Sequence, residues 1–263
     1  MSFPLKDKVI ALTGASAGIG ASIAKSLYEN GASIAIGARR LSKLQEVADS
    51  IQAEFPDSPG KIICVECDVT SRESVQKLVD TALTEYGVES VDSMIANAGV
   101  MYFTNMKNAL MDQWDQMIDV NCKGVTNCMG CTLPAMTKAG KGKFITISSD
   151  AGVRDFQTLA VYCGSKHFVE TLTEITRREL VGTGVTLHTI QPGDVKGTEL
   201  IMKNSDQEAA DKIGVAIQKP VGEGFTREQL LDPSDVADAV LTVLTAPPHV
   251  AINSILIEPR DQE

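Results

Sequence analysis

The chain of 263 residues has no apolar run long enough to span a bilayer, and its first residues, Met1-Ser2-Phe3-Pro4-Leu5-Lys6-Asp7-Lys8, contain no apolar leader. A soluble, cytoplasmic protein is therefore expected. Positive charge is also short: 24 lysines and arginines against 34 acids leave a net charge of −10. That balance sets aside nucleic acid or an anionic membrane as a partner. Histidine is scarce, with three residues, whereas six cysteines (Cys64, Cys67, Cys122, Cys128, Cys131, Cys163) form two C-x-x-C spacings. Cys64 and Cys67 fall in and just after an apolar strand, and Cys128 and Cys131 fall on a predicted helix with no histidine nearby. No metal is expected, and the thiols read as reduced and mostly buried. Repeats, low-complexity runs and linkers are missing, while 43% of residues are hydrophobic, so a single domain over 1–263 with one large core is expected.

What the chain does have is alternation. Short apolar runs at 9–13, 33–37, 61–65, 93–96, 143–148, 186–191 and 252–257 predict seven buried strands, with helical patterns between them. The segment 41–55 is amphipathic and stopped by Pro56; 71–86 begins with a serine cap and ends at Gly87; 235–244 follows Pro233-Ser234; 161–180 is a long helix. Strands alternating with helices build a parallel sheet by right-handed crossovers, here an α/β doubly wound fold with ligand across the carboxyl ends of the strands.

The first strand runs directly into Gly14-Ala15-Ser16-Ala17-Gly18-Ile19-Gly20 and then into a helix. Glycines allow positive φ and close approach of backbone to a pyrophosphate, and the free amides and dipole of a helix N-terminus favour the anion. The spacing G-x-x-x-G-x-G fits the usual dinucleotide fingerprint only loosely. Further on, Tyr162 and Lys166 stand four apart, with Ser149 upstream. On a helix such a pair shares one face, and a nearby cation lowers the pKa of a phenol, which can then move a proton at an alcohol oxygen.

Thr13 to Gly20, Asn97-Ala98-Gly99, Asn121 in Asp119-Val120-Asn121, Ser149, Tyr162, Lys166 and Pro192-Gly193 occur in one order and spacing over nearly the whole chain. Together they resemble the short-chain dehydrogenase/reductase family. The resemblance implies a seven-stranded Rossmann-type sheet, a nicotinamide cofactor, and a carbonyl/alcohol substrate. It also implies a hydride transferred from the cofactor, a proton from Tyr162, and an oxygen held by Ser149 rather than by the adjacent Ser148. Lys166 is implied to lower the tyrosine pKa and bind the nicotinamide ribose. Asn121 is implied to sit at a disturbed point of the fourth helix, its side chain and freed backbone carbonyl holding a water that leads from Lys166 to solvent; read alone, it is equally a helix-kink or capping residue. Asp150, beside Ser149, is expected to point away from the substrate.

At the end of the second strand the sequence reads Gly37-Ala38-Arg39-Arg40, with no carboxylate to accept from a ribose 2′-hydroxyl and two guanidiniums suited to a 2′-phosphate. Arg39 is expected to be the clamp, helped by Arg40 and Ser16, giving NADP(H). The resemblance adds Asp68 and Val69 near adenine, Asn97, Ala98 and Gly99 beneath its ribose, and Pro192, Gly193, Val195 and Thr198 near the carboxamide and pyrophosphate. Thr198 follows Pro192-Gly193 one residue later than in the family's commonest form, similar to a branch acting on hydroxy acids, terpenoid alcohols or ketosteroids.

The long connection 199–231, with a short helix within 205–218, reads as a substrate lid, with Met202, Ile213, Ile217 and Phe225 as an apolar wall beside Val100, Met101 and Phe156. Each of these is equally readable as core. Arg154 and Lys203 are candidates to bind a carboxylate, or plain surface cations. The family implies a homotetramer, or a dimer, and Phe168, Leu172 and Ile175 share a helix face suited to core or to subunit contact. Two alternatives stay open: an NAD-dependent dehydrogenase in which Arg39 stacks on adenine, and a regulatory protein that senses the cofactor without turnover.

Overall fold

The computed structural model describes residues 3–219 and 229–262. Strands β1 (Val9–Thr13), β2 (Ser33–Ala38), β3 (Ile62–Glu66), β4 (Ser93–Ala96), β5 (Gly142–Ile147), β6 (Val185–Pro192) and β7 (Ser254–Ile257) form one sheet in the order β3-β2-β1-β4-β5-β6-β7. Every pairing is parallel. Helices α1 (Gly18–Glu29), α2 (Leu41–Glu54), α3 (Arg72–Tyr86), α4 (Met111–Met117), α5 (Gly124–Ala139), α6 (Ala160–Glu179), α7 (Gln207–Ile213) and α8 (Pro233–Thr245) fill the connections.

The continuous apolar runs of the strands have a direct physical cause. Successive side chains point to opposite faces, and both faces are covered. Ile10, Leu12, Ile34, Ile36, Ile95 and Ile145 pack on one side with α1, α2 and α8. Their neighbours Val9, Ala11, Ala35, Met94 and Phe144 pack on the other with α3, α5 and Val169 of α6. Each such large side chain removed from water contributes about 1.5–3 kcal/mol before entropy is counted, so a strand cannot slip by one residue without exchanging two complete sets of contacts.

Helix ends follow their local chemistry. Ser71 accepts a hydrogen bond from the Ser74 amide and Gly87 closes α3 at φ +66°. Asp232 and Asp235 cap each other's amides around Pro233 at the start of α8. Two expected elements are shorter than their patterns. The helix expected within 205–218 is held to Gln207–Ile213, because Asp206 accepts from the Ala209 amide at one end and Gly214 turns left-handed at the other. The last strand begins at Ser254 rather than 252. Among the described residues no helix is long and apolar enough to cross a membrane.

Strand order reverses between β1 and β4, so the connections leaving these two strands diverge and open a crevice at their carboxyl ends. Thr13 and Asn97 lash the two rims together. The Thr13 hydroxyl oxygen accepts from the amides of Asn97 (3.1 Å) and Ala98 (3.2 Å), and the Asn97 side chain donates to the carbonyls of Thr13 (2.9 Å) and Gly14 (3.2 Å).

Candidate active site

A cleft of about 530 Å³ follows this crevice and gathers residues from across the chain. Gly14, Ser16, Gly18, Ile19, Gly20, Arg39, Arg40, Asp68 and Val69 line one end; Asn97, Ala98 and Gly99 lie along it; Ser149, Tyr162, Lys166, Pro192, Gly193, Val195 and Thr198 line the other. Of the residues the sequence singled out for catalysis or cofactor binding, Asn121 alone stands behind the wall.

The glycine-loop end is built from backbone. A Cβ on Gly20 would lie 2.2 Å from the Gly14 carbonyl oxygen, so only glycine lets α1 start this close to β1. Ala17 caps α1 with no side-chain hydrogen bond, and the first turn holds no acid. The opening amides of a twelve-residue helix are therefore left to an anion in the cleft. The Arg40 guanidinium donates to the Ser16 hydroxyl (3.2 Å) and pairs with Glu199 (2.8 Å), which Lys43 also approaches. Arg39 lines the cleft and enters no ion pair among the described residues. Asp68 holds Thr70 through one carboxylate oxygen, accepting from its amide (3.0 Å) and hydroxyl (2.8 Å). These uncapped amides, glycine contacts and exposed guanidiniums suit a dinucleotide carrying an additional phosphate.

The other end is built from buried side chains. Ser149, Tyr162 and Lys166 are each less than 9% exposed. The Lys166 ammonium donates to the Ile147 carbonyl at 3.1 Å and sits 5.7 Å from the centre of the Tyr162 ring, over its face. Burial depresses the lysine to about 8, against the pull of Glu170 and Cys122. Burial pushes the Tyr162 phenol well above its ordinary value. Asp150, Cys163 and Asp194 add to the rise, and a hydrogen bond with Ser149 opposes it. The expectation that Lys166 lowers this phenol is thus corrected. Desolvation dominates, the negative groups nearby add smaller rises, and the ammonium lies over the ring.

Asn121 sits in a π-helical segment, Ile118–Lys123, between α4 and α5, which is the expected disturbance of the fourth helix. Its side chain makes three hydrogen bonds. Oδ1 accepts from the Val100 amide (2.9 Å), and Nδ2 donates to the Val100 carbonyl (2.9 Å) and the Ser165 hydroxyl (3.0 Å). The side chain fastens the loop after β4 to α6. Asp150 is a second correction: it turns toward Ser149 instead of away, and its Oδ1 accepts from the Ser149 hydroxyl at 2.8 Å. Arg154 pairs with Glu258 (2.7 Å). Lys203 is exposed and lines the cleft. Thr198 is buried, with its hydroxyl 3.4 Å from the Val195 carbonyl and its methyl beside Gly18.

The stretch after residue 199 is tied down by residues that carried no sequence signal. Asn204 accepts from the Phe103 amide (2.7 Å) and donates to the Met101 carbonyl (3.2 Å); Asp206 accepts from the Asn105 amide (2.8 Å). Ile217 packs beside Phe103, and Met202 and Ile213 are exposed. Val100, Met101 and Phe156 pack around Tyr102 and Tyr162. Phe225 lies outside the described residues. All six cysteines are free thiols, and four are buried.

Known proteins resemble this chain along nearly its whole length. It is 44% identical over 259 residues to glycine betaine reductase ATRR of Emericella nidulans, covering 98% of this chain but only 19% of that protein. Among solved structures, the closed form of serine dehydrogenase complexed with NADP+ superposes with a TM-score of 0.82 at 28% identity, covering 97% of this chain and 96% of that one. An alcohol dehydrogenase from Thermococcus sibiricus complexed with 5-hydroxy-NADP superposes with a TM-score of 0.81 at 26% identity, covering 97% and 98%. The family model described as short chain dehydrogenase matches residues 8–209, and with the sheet order and cleft above it establishes that the chain belongs to the short-chain dehydrogenase/reductase family of oxidoreductases.

Proposed function

We propose that this chain is an NADP(H)-dependent carbonyl reductase that runs reversibly as an alcohol dehydrogenase. The observation that carries the reading is the pairing of two ends in one cleft: an exposed guanidinium at Arg39, without an ion pair among the described residues and with no carboxylate at the end of β2, and a buried Ser149, Tyr162, Lys166 set at the other extreme. Arg39 holds the 2′-phosphate, with Arg40 and Ser16 in support, and the α1 amides hold the pyrophosphate. Lys166 binds the nicotinamide ribose. When bound, the nicotinamide supplies the hydride. A phenol pushed upward by burial stays protonated at neutral pH, so Tyr162 is a proton donor to the substrate oxygen as charge develops there, and Ser149 holds that oxygen in register. Asn121 acts at one remove, by fixing the Val100 loop against α6.

Residues of 199–231, as far as they are described, form one wall of the substrate end through Ile201, Lys203, Ile213 and Val215. Phe168 and Ile175 on α6 are exposed, which fits pairing of subunits along this helix.

The test is loss of reduced-nicotinamide absorbance with NADPH and, separately, NADH. The panel comprises aldehydes, diketones, ketosteroids, terpenoid carbonyls, 3-oxo acids and, after the glycine betaine reductase relative, small carbonyls bearing a trimethylammonium group. Turnover with NADPH on one class is expected, and Tyr162→Phe lowers kcat by about 1,000-fold while NADPH binding by fluorescence titration stays within about three-fold. Tight binding with no turnover across the panel sinks the enzymatic reading.

A further inference from the structure

Ser149 does not stand alone. Its hydroxyl donates to Asp150 Oδ1 at 2.8 Å, and the same oxygen accepts from the Ala151 amide at 2.8 Å. The other carboxylate oxygen accepts from the side-chain amide of Gln262, which lies beyond β7. Gln262 in turn accepts, through Oε1, from the Asp194 amide at 3.1 Å. Its amide fits where Gly193 leaves no side chain: a Cβ there would lie 2.4 Å from Gln262 Oε1. The same segment is pinned a second time by the Arg154–Glu258 pair at 2.7 Å. Asp150 is 6% exposed and makes no ion pair among the described residues. A buried carboxylate held by three hydrogen bonds and no cation costs stability, so its retention calls for a purpose other than stability.

We infer that Asp150, held in place by Gln262, is a positioning residue that fixes the Ser149 hydroxyl against the Tyr162 phenol, making residues 258–262 a working part of the active site. A hydroxyl has one proton, and until a substrate oxygen competes for it Asp150 takes it. A lone pair of Ser149 is then left to accept from the Tyr162 phenol, which holds that hydroxyl in place while it is protonated. The arrangement also adds, after burial, to what keeps that phenol protonated. The titratable groups around it are Asp150 from the turn after β5, Asp194 from the loop after β6, Cys163 and Lys166 from α6, and Tyr102 from the loop after β4. Asp150 is the nearest contributor of negative charge through a shared hydrogen-bond partner, and it favours the protonated phenol. The inference rests on the reading of Tyr162 as proton donor.

Two measurements test it, one of which needs no turnover. In the cofactor-free protein, ultraviolet difference titration of Tyr162, isolated by subtracting Tyr162→Phe, gives a midpoint that falls by about one pH unit in Asp150→Asn. An unchanged or raised midpoint overturns the inference, whether or not a substrate is known. In the turnover assay, Gln262→Met, which keeps the length and removes both hydrogen bonds, lowers kcat by about ten-fold with the NADPH KM within about two-fold and the melting temperature near wild type. Wild-type kcat in Gln262→Met overturns the inference, as does a loss that tracks melting temperature or cofactor KM. Wild-type protein that turns over nothing defeats the reductase reading instead, and the titration still decides the role of Asp150.

Discussion

At its glycine-loop end the cleft is made of main chain and solvent-facing cations: uncapped α1 amides, a glycine with a carbonyl 2.2 Å from where its Cβ would be, and the exposed Arg39 and Arg40. At its Tyr162 end it is made of buried side chains, Ser149, Asp150, Tyr162 and Lys166, brought from the turn after β5 and from α6 and closed over by Gln262. The first end recognises an anion with parts that cost the fold little, because backbone amides at a helix start lack partners in any case. The second end confines charge where water is scarce, and there each group alters the protonation of its neighbour.

Altering each end separately sharpens the contrast. The largest effect is expected at the backbone end: Gly20→Ala drives a methyl into the Gly14 carbonyl and destabilises the protein by about 3 kcal/mol, read as a lowered denaturant midpoint with cofactor binding lost alongside. A second change spares the fold. Because Arg39 is exposed and enters no ion pair among the described residues, Arg39→Asp raises the NADPH KM by about 100-fold and leaves the NADH value within about three-fold; equal changes for both cofactors would transfer the phosphate contact to Arg40.

The third and smallest effect has the opposite sign. Lys166 is buried and, among the described residues, makes a single hydrogen bond, to a carbonyl, so Lys166→Met abolishes turnover yet stabilises the protein by about 2 kcal/mol. The pH dependence follows from burial, which depresses the lysine from 10.5 to about 8. Between those values the unfolded chain holds more protons than the folded one, so wild-type stability rises with pH there, and below 8 the whole penalty is present. The gain in Lys166→Met should therefore be largest below pH 8 and close as pH climbs toward 10.5, measured as the difference in melting temperature. A gain that does not vary with pH would mean that packing rather than charge is responsible.

The same contrast explains what could be read from sequence. The strands were legible because a two-sided sheet demands unbroken apolar runs, and the glycine loop because strand, turn and helix are contiguous. Tyr162 and Lys166 were legible as a helical i, i+4 pair. Arg39 and Arg40 were visible through a missing acid. Asp150 and Gln262 lie 112 residues apart, and neither a glutamine after the last strand nor an aspartate after a serine has a local signature. The direction of the Tyr162 shift was misread for the same reason. Sequence places Lys166 near the phenol but gives neither the depth of burial nor the carboxylates Asp150 and Asp194. Asn204 and Asp206, which tie the stretch after residue 199 to the loop after β4, are likewise visible only in three dimensions.

The π-helical turn at Ile118–Lys123 amounts to a helix that has taken in one residue more than its pitch accommodates. With 3.6 residues to a turn, one surplus residue rotates everything before it by about 100° relative to everything after it. That rotation lets a single rod serve two neighbours: α4 turns Met117 and Trp114 toward the cluster around Tyr102 and Tyr162, while α5 turns Val125 and Cys128 down onto the sheet. Asn121 stands at the seam between the two phases. Excising one residue from 118–123 would restore regular pitch and hydrogen bonding, yet swing Asn121 off the Val100 loop and leave one of the two faces looking at the wrong partner.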